Sequence, residues 1–261
     1  MRTPRSAAAL IAVTAAGAVT AALLATPGAA AQQAGVGRLG AELSSAERAA
    51  PAKKATSKGY GGAVSTVDPY ATKIGLQVLR RGGNAVDAAV ATAAALGVTE
   101  PYSAGIGGGG YFVYYNAKSG KVKTIDGRET APEAMPNDAF IDPATGKPYR
   151  FTPELVTSGV SVGVPGTPAT WDRALDRWGT WQLADTLAPA IDLARKGFKI
   201  DETFRDATLA NQVRFDAFTS TRKLYLPGGD APAVGSTFKN KALARTYQLL
   251  AERGMGKFYR G

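Results

Sequence analysis

The stretch TIDGRETAP, Thr124 to Pro132, ends a short apolar rise at Asp126-Gly127, sets Arg128 beside Glu129 and closes on Pro132. A guanidinium is a fixed cation with a planar fork of donors, so an arginine in that setting raises the question of what it holds. A second candidate is GIGGGGYF, Gly105 to Phe112, where glycine backbones could turn N–H groups toward an anion. No Gly-Lys-Ser/Thr follows, and the glycines lead into a strand-like run instead of a helix, so phosphate-loop and dinucleotide fingerprints both fail. The plainer reading is a tight turn where backbone approaches backbone. Asp87 is the only charge in AVDAAVATAAALGV and needs a partner or the rim of a site; a structural role is preferred.

The residue types that are missing narrow the chemistry further. Cysteine and histidine are both absent from all 261 residues, which removes disulfides, thiolate metal sites, most zinc sites, the Ser-His-Asp triad and the Cys-His pair. Serines and threonines are plentiful, but none sits in a G-x-S-x-G elbow or an S-x-x-K context.

The elements that would position these groups follow from local pattern. GGAVST, Gly61 to Thr66, has the length and β-branched content of a strand. Asp68-Pro69 then supplies a cap and a first-turn proline for a helix from Tyr70, with Ile74 and Val78 on its apolar face and Gly82-Gly83 at its end. Asn84 caps a second helix, Ala85 to Val98, apolar nearly all round and expected to lie buried against a sheet. YFVYY and KVKTI flank NAKSG as a hairpin, and the unbroken YFVYY run predicts a strand covered on both faces. GVSVGV, Gly159 to Val164, reads as a further strand. From Thr167 the pattern is helical, through TPATWDRALDRW, LADTLAPAIDLARKGF, DETFRDATLANQV and NKALARTYQLLAERG. There is no internal repeat and no clear interdomain linker.

Composition, 45% hydrophobic and 20% charged, is that of a globular chain. Residues 1–31 differ: Arg2 and Arg5, an Ala/Val/Leu run from Ala7 to Leu24, a Pro-Gly break and Ala29-Ala30-Ala31 predict a secretory signal peptide, preferred over a transmembrane anchor. Residues 32–58 lack helical or strand period and read as a flexible arm, and residues 59–261 as the compact part. Loss of Arg2 and Arg5 with the leader lowers the net charge from +10 to +8. The basic residues are scattered singly or in pairs without interleaved aromatics, which argues against nucleic-acid binding. No membrane span is expected once the leader is removed. The stop at FYRG, directly after a helix, predicts a truncated chain or one processed subunit.

The run VSTVDPYATKIGLQVLRRGGNAVDAAVATAAALGVTEPYSAGIGGGGYFVYYNAKSGKVKTIDGRETAP resembles the N-terminal part of the γ-glutamyltransferases, or glutathione hydrolases. SVGVPGTPATW, WGTW, LAPAIDLARKGF and KFYRG resemble the segments that follow in the same order, so the likeness extends from about Gly61 to Gly261. Tyr102 is a departure, because relatives often carry histidine there.

The resemblance implies an α+β fold of N-terminal-nucleophile hydrolase type, stacked sheets between helical layers (αββα), incomplete in this chain. It implies a precursor that cuts itself into large and small subunits, the small subunit's new N-terminal threonine attacking the γ-carbonyl with its own α-amine as base. The γ-glutamyl group of glutathione or another donor would pass to water or to an amino acid or peptide, with no cofactor. Arg128 would grip the donor's α-carboxylate, a match of fork to carboxylate, in place of a surface ion pair with Glu129 or Asp126. No catalytic residue is expected in this chain, which on its own would be inactive. A related amide acylase, a non-catalytic binding remnant and a basic anion-binding protein are the alternatives.

Overall fold

The structure is a computed structural model that describes residues 50–53 and 55–261. The expected signal peptide, residues 1–31, lies outside the described residues, as does most of the arm.

Helix α1, Pro69–Arg80, starts where Asp68 accepts a hydrogen bond from the Ala71 amide at 2.8 Å, and Pro69 needs no partner for a donor it lacks. It ends at Arg81, and Gly82 takes the left-handed turn at φ 89°. Helix α2, Ala85–Thr99, opens on a reciprocal cap in which Asn84 accepts from the Val86 and Asp87 amides and Asp87 accepts from the Asn84 amide. One side of α2, Ala88, Ala91 and Ala95, packs on Ala71, Ile74 and Val78 of α1. The opposite side, Val86, Val90, Ala94 and Val98, joins the main core with Ala174 and Leu175 of α4, Thr167–Trp178, and Leu187 and Ala190 of α5, Leu183–Lys196. Among the described residues the buried alanine helix is therefore packed mainly by helices and not laid flat on a sheet. Small side chains let three helices close around it, an arrangement the apolar run alone does not distinguish from sheet packing.

Helix α3, Pro101–Ala104, and the glycine run lead into β1, Gly110–Asn116, which pairs antiparallel with β2, Lys121–Gly127, in the register Tyr111↔Asp126, Val113↔Thr124 and Tyr115↔Val122. Phe112 and Tyr114 stack on Trp178 of α4, with ring centroids 6.1 and 4.6 Å apart. On the other face Tyr111, Val113, Tyr115 and Val122 are more than 60% exposed. Burial thus alternates along YFVYY, and the double cover expected of it is met on one face, the Phe112 and Tyr114 side that packs on Trp178 and the main core, while the other face is exposed.

Two further strand expectations are overturned. Gly61–Thr66 joins no ladder among the described residues. Gly159–Ser161 is a single 3₁₀ turn, and only Val164 makes a bridge, its amide donating to Thr130 O at 2.8 Å. In both places β-branched residues supply propensity without a neighbouring strand to pair with.

The remaining elements are β3, Ile141–Asp142, with β4, Lys147–Pro148; β5, Phe198–Lys199, with β6, Thr237–Phe238; and helices α6, Glu202–Ala210, α7, Gln212–Asp216, α8, Thr219–Tyr225, and α9, Lys241–Arg260. Phe204, Tyr225 and Phe238 form an aromatic cluster with Tyr102, whose ring lies edge-on to Phe204 at 5.2 Å and whose hydroxyl bonds the Thr208 hydroxyl. The departure at Tyr102 is absorbed by packing. Lys53 reaches α6, its ammonium 2.8 Å from Asp201 and donating to the Thr203 hydroxyl at 3.1 Å.

Helices carrying small antiparallel sheets make this an α+β chain, as expected, and the stacked pair of sheets is not completed by the described residues.

Candidate anion-binding site

Arg128 stands one residue past the end of β2, where the ladder fixes its backbone more firmly than a free loop would. Its amide donates to Asp126 Oδ1 at 3.0 Å, closing a local turn. Its Nε donates to Glu129 Oε2 at 3.0 Å, while neither terminal nitrogen has a protein partner among the described residues. The Glu129 carboxyl is held below the usual carboxylate range by its own backbone amide and by the Arg128 guanidinium, so it stays charged. The Arg128–Glu129 ion pair and an open fork therefore coexist: Glu129 restrains one edge of the guanidinium and leaves the end free. Arg128 is one of the residues lining an open cleft of about 530 Å3, together with Thr130, Met135, Phe140, Val162 and Gly163. The Arg128 side chain is 63% exposed.

Glycines set the backbone of this site by proximity. A Cβ on Gly109 would stand 3.0 Å from Arg128 Cα and from the Glu129 amide nitrogen; one on Gly166 would be 2.7 Å from the Gly127 carbonyl carbon; one on Gly163 would be 2.6 Å from Glu129 Cβ. Gly127 is itself pressed against the Thr170 hydroxyl, and its φ is not left-handed, so space and not the turn demands glycine there. The plainer reading of the glycine run, backbone approaching backbone, holds at Gly109. The contributions of Gly163 and Gly166 were hidden in the sequence, since both come from a segment that reads as strand and turn.

Gly166→Ala is expected to cost about 1–3 kcal/mol of stability, because the new methyl meets backbone that cannot rotate away. Thermal melts beside Gly159→Ala, where nothing lies within 4 Å of the added carbon, measure the difference. Equal melting temperatures for the two variants would show that the glycine sleeve is loose.

Asp87 is fully buried, and its carboxylate accepts from the amides of Asn84, Thr180 and Trp181 at 2.7, 2.9 and 3.1 Å and from the Thr180 hydroxyl at 2.6 Å. It joins the start of α2 to the α4–α5 connection, the structural role preferred from sequence. Among the described residues no group of His, Cys, Asp and Glu side chains is arranged to hold a metal, and no helix is long and apolar enough to cross a membrane. What the described site can do is hold a planar anion at Arg128.

Residues 71–261 match the family described as Gamma-glutamyltranspeptidase. The chain is 43% identical over 203 residues to the glutathione hydrolase proenzyme of Bacillus subtilis strain 168, a match covering 78% of this chain and 34% of the relative. It thus spans about a third of the length of that relative. The crystal structure of Helicobacter pylori gamma-glutamyltranspeptidase superposes with a TM-score of 0.73 at 34% identity, covering 79% of this chain and 58% of the other. A cephalosporin acylase from Bacillus halodurans superposes with a TM-score of 0.66 at 31% identity, covering 80% of this chain and 40% of that one. With the motif order matched by sequence and by backbone over nearly all of the described residues, the chain belongs to the gamma-glutamyltranspeptidase family.

Proposed function

We propose that this chain is the donor-binding portion of the large subunit of an exported γ-glutamyltransferase, with Arg128 holding the α-carboxylate of the γ-glutamyl donor. The observation that carries this reading is an Arg128 fork whose terminal nitrogens have no protein partner among the described residues, on a residue that lines a cleft at a strand end within the family-matched segment. The complete enzyme would comprise this chain and a small subunit cut from the same precursor. A small-subunit threonine would add its hydroxyl oxygen to the γ-carbonyl while its α-amine takes the hydroxyl proton and passes it to the departing amine. Collapse of the tetrahedral adduct releases that amine and leaves a γ-glutamyl ester, which water or the amino group of an amino acid or peptide then cleaves. Glutathione is the natural donor class, and no cofactor takes part. Export rests on the leader at residues 1–31, with cleavage after Ala31.

The acylase neighbour supports a second reading, hydrolysis of a different amide on the same framework. A single comparison separates the two. The complete, processed enzyme is expected to release the aniline from a γ-glutamyl anilide and to leave the α-glutamyl isomer nearly untouched, whereas residues 32–261 alone release none. Equal rates on the two isomers, or turnover by residues 32–261 alone, would overturn the proposal.

A further inference from the structure

Helix α4 begins without a side-chain cap, because the residue before it, Gly166, offers no acceptor to the first-turn amides. One of those amides, Ala169 N–H, is nonetheless satisfied by the phenolic oxygen of Tyr259 at 3.2 Å, and the Tyr259 hydroxyl donates to Pro165 O at 2.6 Å. Tyr259 therefore bridges both ends of the Pro165–Ala169 turn from the far end of α9. Gly254, at φ 67°, breaks the direction of α9 ahead of this last turn, and upstream the Tyr247 hydroxyl donates to Ala94 O at 3.0 Å, fixing the helix to α2. Burial raises the Tyr259 phenol above its ordinary range, so it keeps the proton it donates.

The bridged turn lies against the Arg128 backbone. Gly166 and Thr167 amides both donate to Gly108 O at 3.1 Å, and the Thr167 hydroxyl donates to the same carbonyl at 2.9 Å. A Cβ on Gly166 would lie 3.1 Å from Arg128 O. A turn that relaxes by a few tenths of an ångström would release the strand end that aims the guanidinium.

We propose that Tyr259 is a positioning residue for the Arg128 anion site, clamping the Pro165–Ala169 turn so that the glycine sleeve holds the Gly127–Glu129 backbone. The proposal rests on the reading of Arg128 as the donor-carboxylate site. Tyr259→Phe keeps the ring and removes the clamp. In the complete enzyme it is expected to speed hydrogen exchange at the Gly166, Thr167 and Ala169 amides by about tenfold or more while leaving α1 and α2 amides unchanged. It is also expected to raise the KM for γ-glutamyl donors about 3- to 10-fold with kcat within about twofold, and to have no further effect on KM in an Arg128→Ala background. Unchanged exchange at the turn, exchange raised throughout the molecule, or an unchanged donor KM overturns the proposal. A KM effect that persists undiminished in the Arg128→Ala background overturns it too, while leaving Arg128 in place as the donor site. If Arg128→Ala alone leaves donor KM unaltered, the donor-site reading itself fails and the positioning role falls with it.

Discussion

Arg128→Ala in the complete enzyme is expected to lower kcat/KM for γ-glutamyl donors by about 30- to 5,000-fold, corresponding to roughly 2–5 kcal/mol of lost binding to a paired carboxylate. The upper part of that range requires the pair to be desolvated. In the described chain the side chain is 63% exposed, so the figure depends on how far the donor and the small subunit cover it. Arg128→Lys keeps the charge but loses the planar, two-pronged match, and its loss should fall between wild type and alanine. A donor without the α-carboxylate should be nearly indifferent to either change, since the fork has nothing to hold. Steady-state kinetics for three enzymes and two donors test this. Equal losses on both donors would mean that Arg128 serves the fold through its ion pair with Glu129.

Asp87→Asn is expected to lower stability by about 3 kcal/mol at neutral pH, because an amide in that place turns its own donors toward groups that are themselves donors. With roughly 2–4 °C of melting temperature per kcal/mol for a domain of this size, the shift is about 6–12 °C. The pH dependence has a definite sign. Burial by itself would raise the Asp87 carboxyl, but hydrogen bonds from Thr180, Asn84 and Trp181 outweigh it and hold the group below its ordinary range. A carboxylate depressed in the folded state stabilises fully above its unfolded pKa of about 3.9, and that contribution fades as pH falls through the lower folded value. The gap between wild type and Asp87→Asn should therefore narrow in acid. A gap that is constant from pH 7 to pH 3 would show that shape, and not charge, is what Asp87 provides.

The elements that could be read from sequence are those whose signals are local. Asp68-Pro69 and Asn84 start their helices as expected, Gly82 ends the first, and NAKSG makes the hairpin, each through contacts within a few residues. The readings that failed depend on distant partners. Gly61–Thr66 and Gly159–Val164 carry strand propensity, but among the described residues no neighbouring strand pairs with the first and a single bridge serves the second. The enclosure of α2 by helices could not be told from sheet packing by composition, because alanine suits both. At the site, Arg128 stood out by residue type, but a donor-carboxylate role for it came only through family resemblance, and the ion pair that weighed against that role leaves the terminal nitrogens without a protein partner among the described residues. Tyr259 could not have been found: its partner amide at Ala169 is 90 residues away, and nothing in KFYRG marks the hydroxyl as a helix cap.

The most direct test is a crystal structure of the complete processed enzyme with glutamate bound. The account predicts the ligand's α-carboxylate accepting from both terminal nitrogens of Arg128 at about 2.7–2.9 Å, with Glu129 still on Nε. A carboxylate held elsewhere, with the Arg128 fork facing solvent, would contradict it.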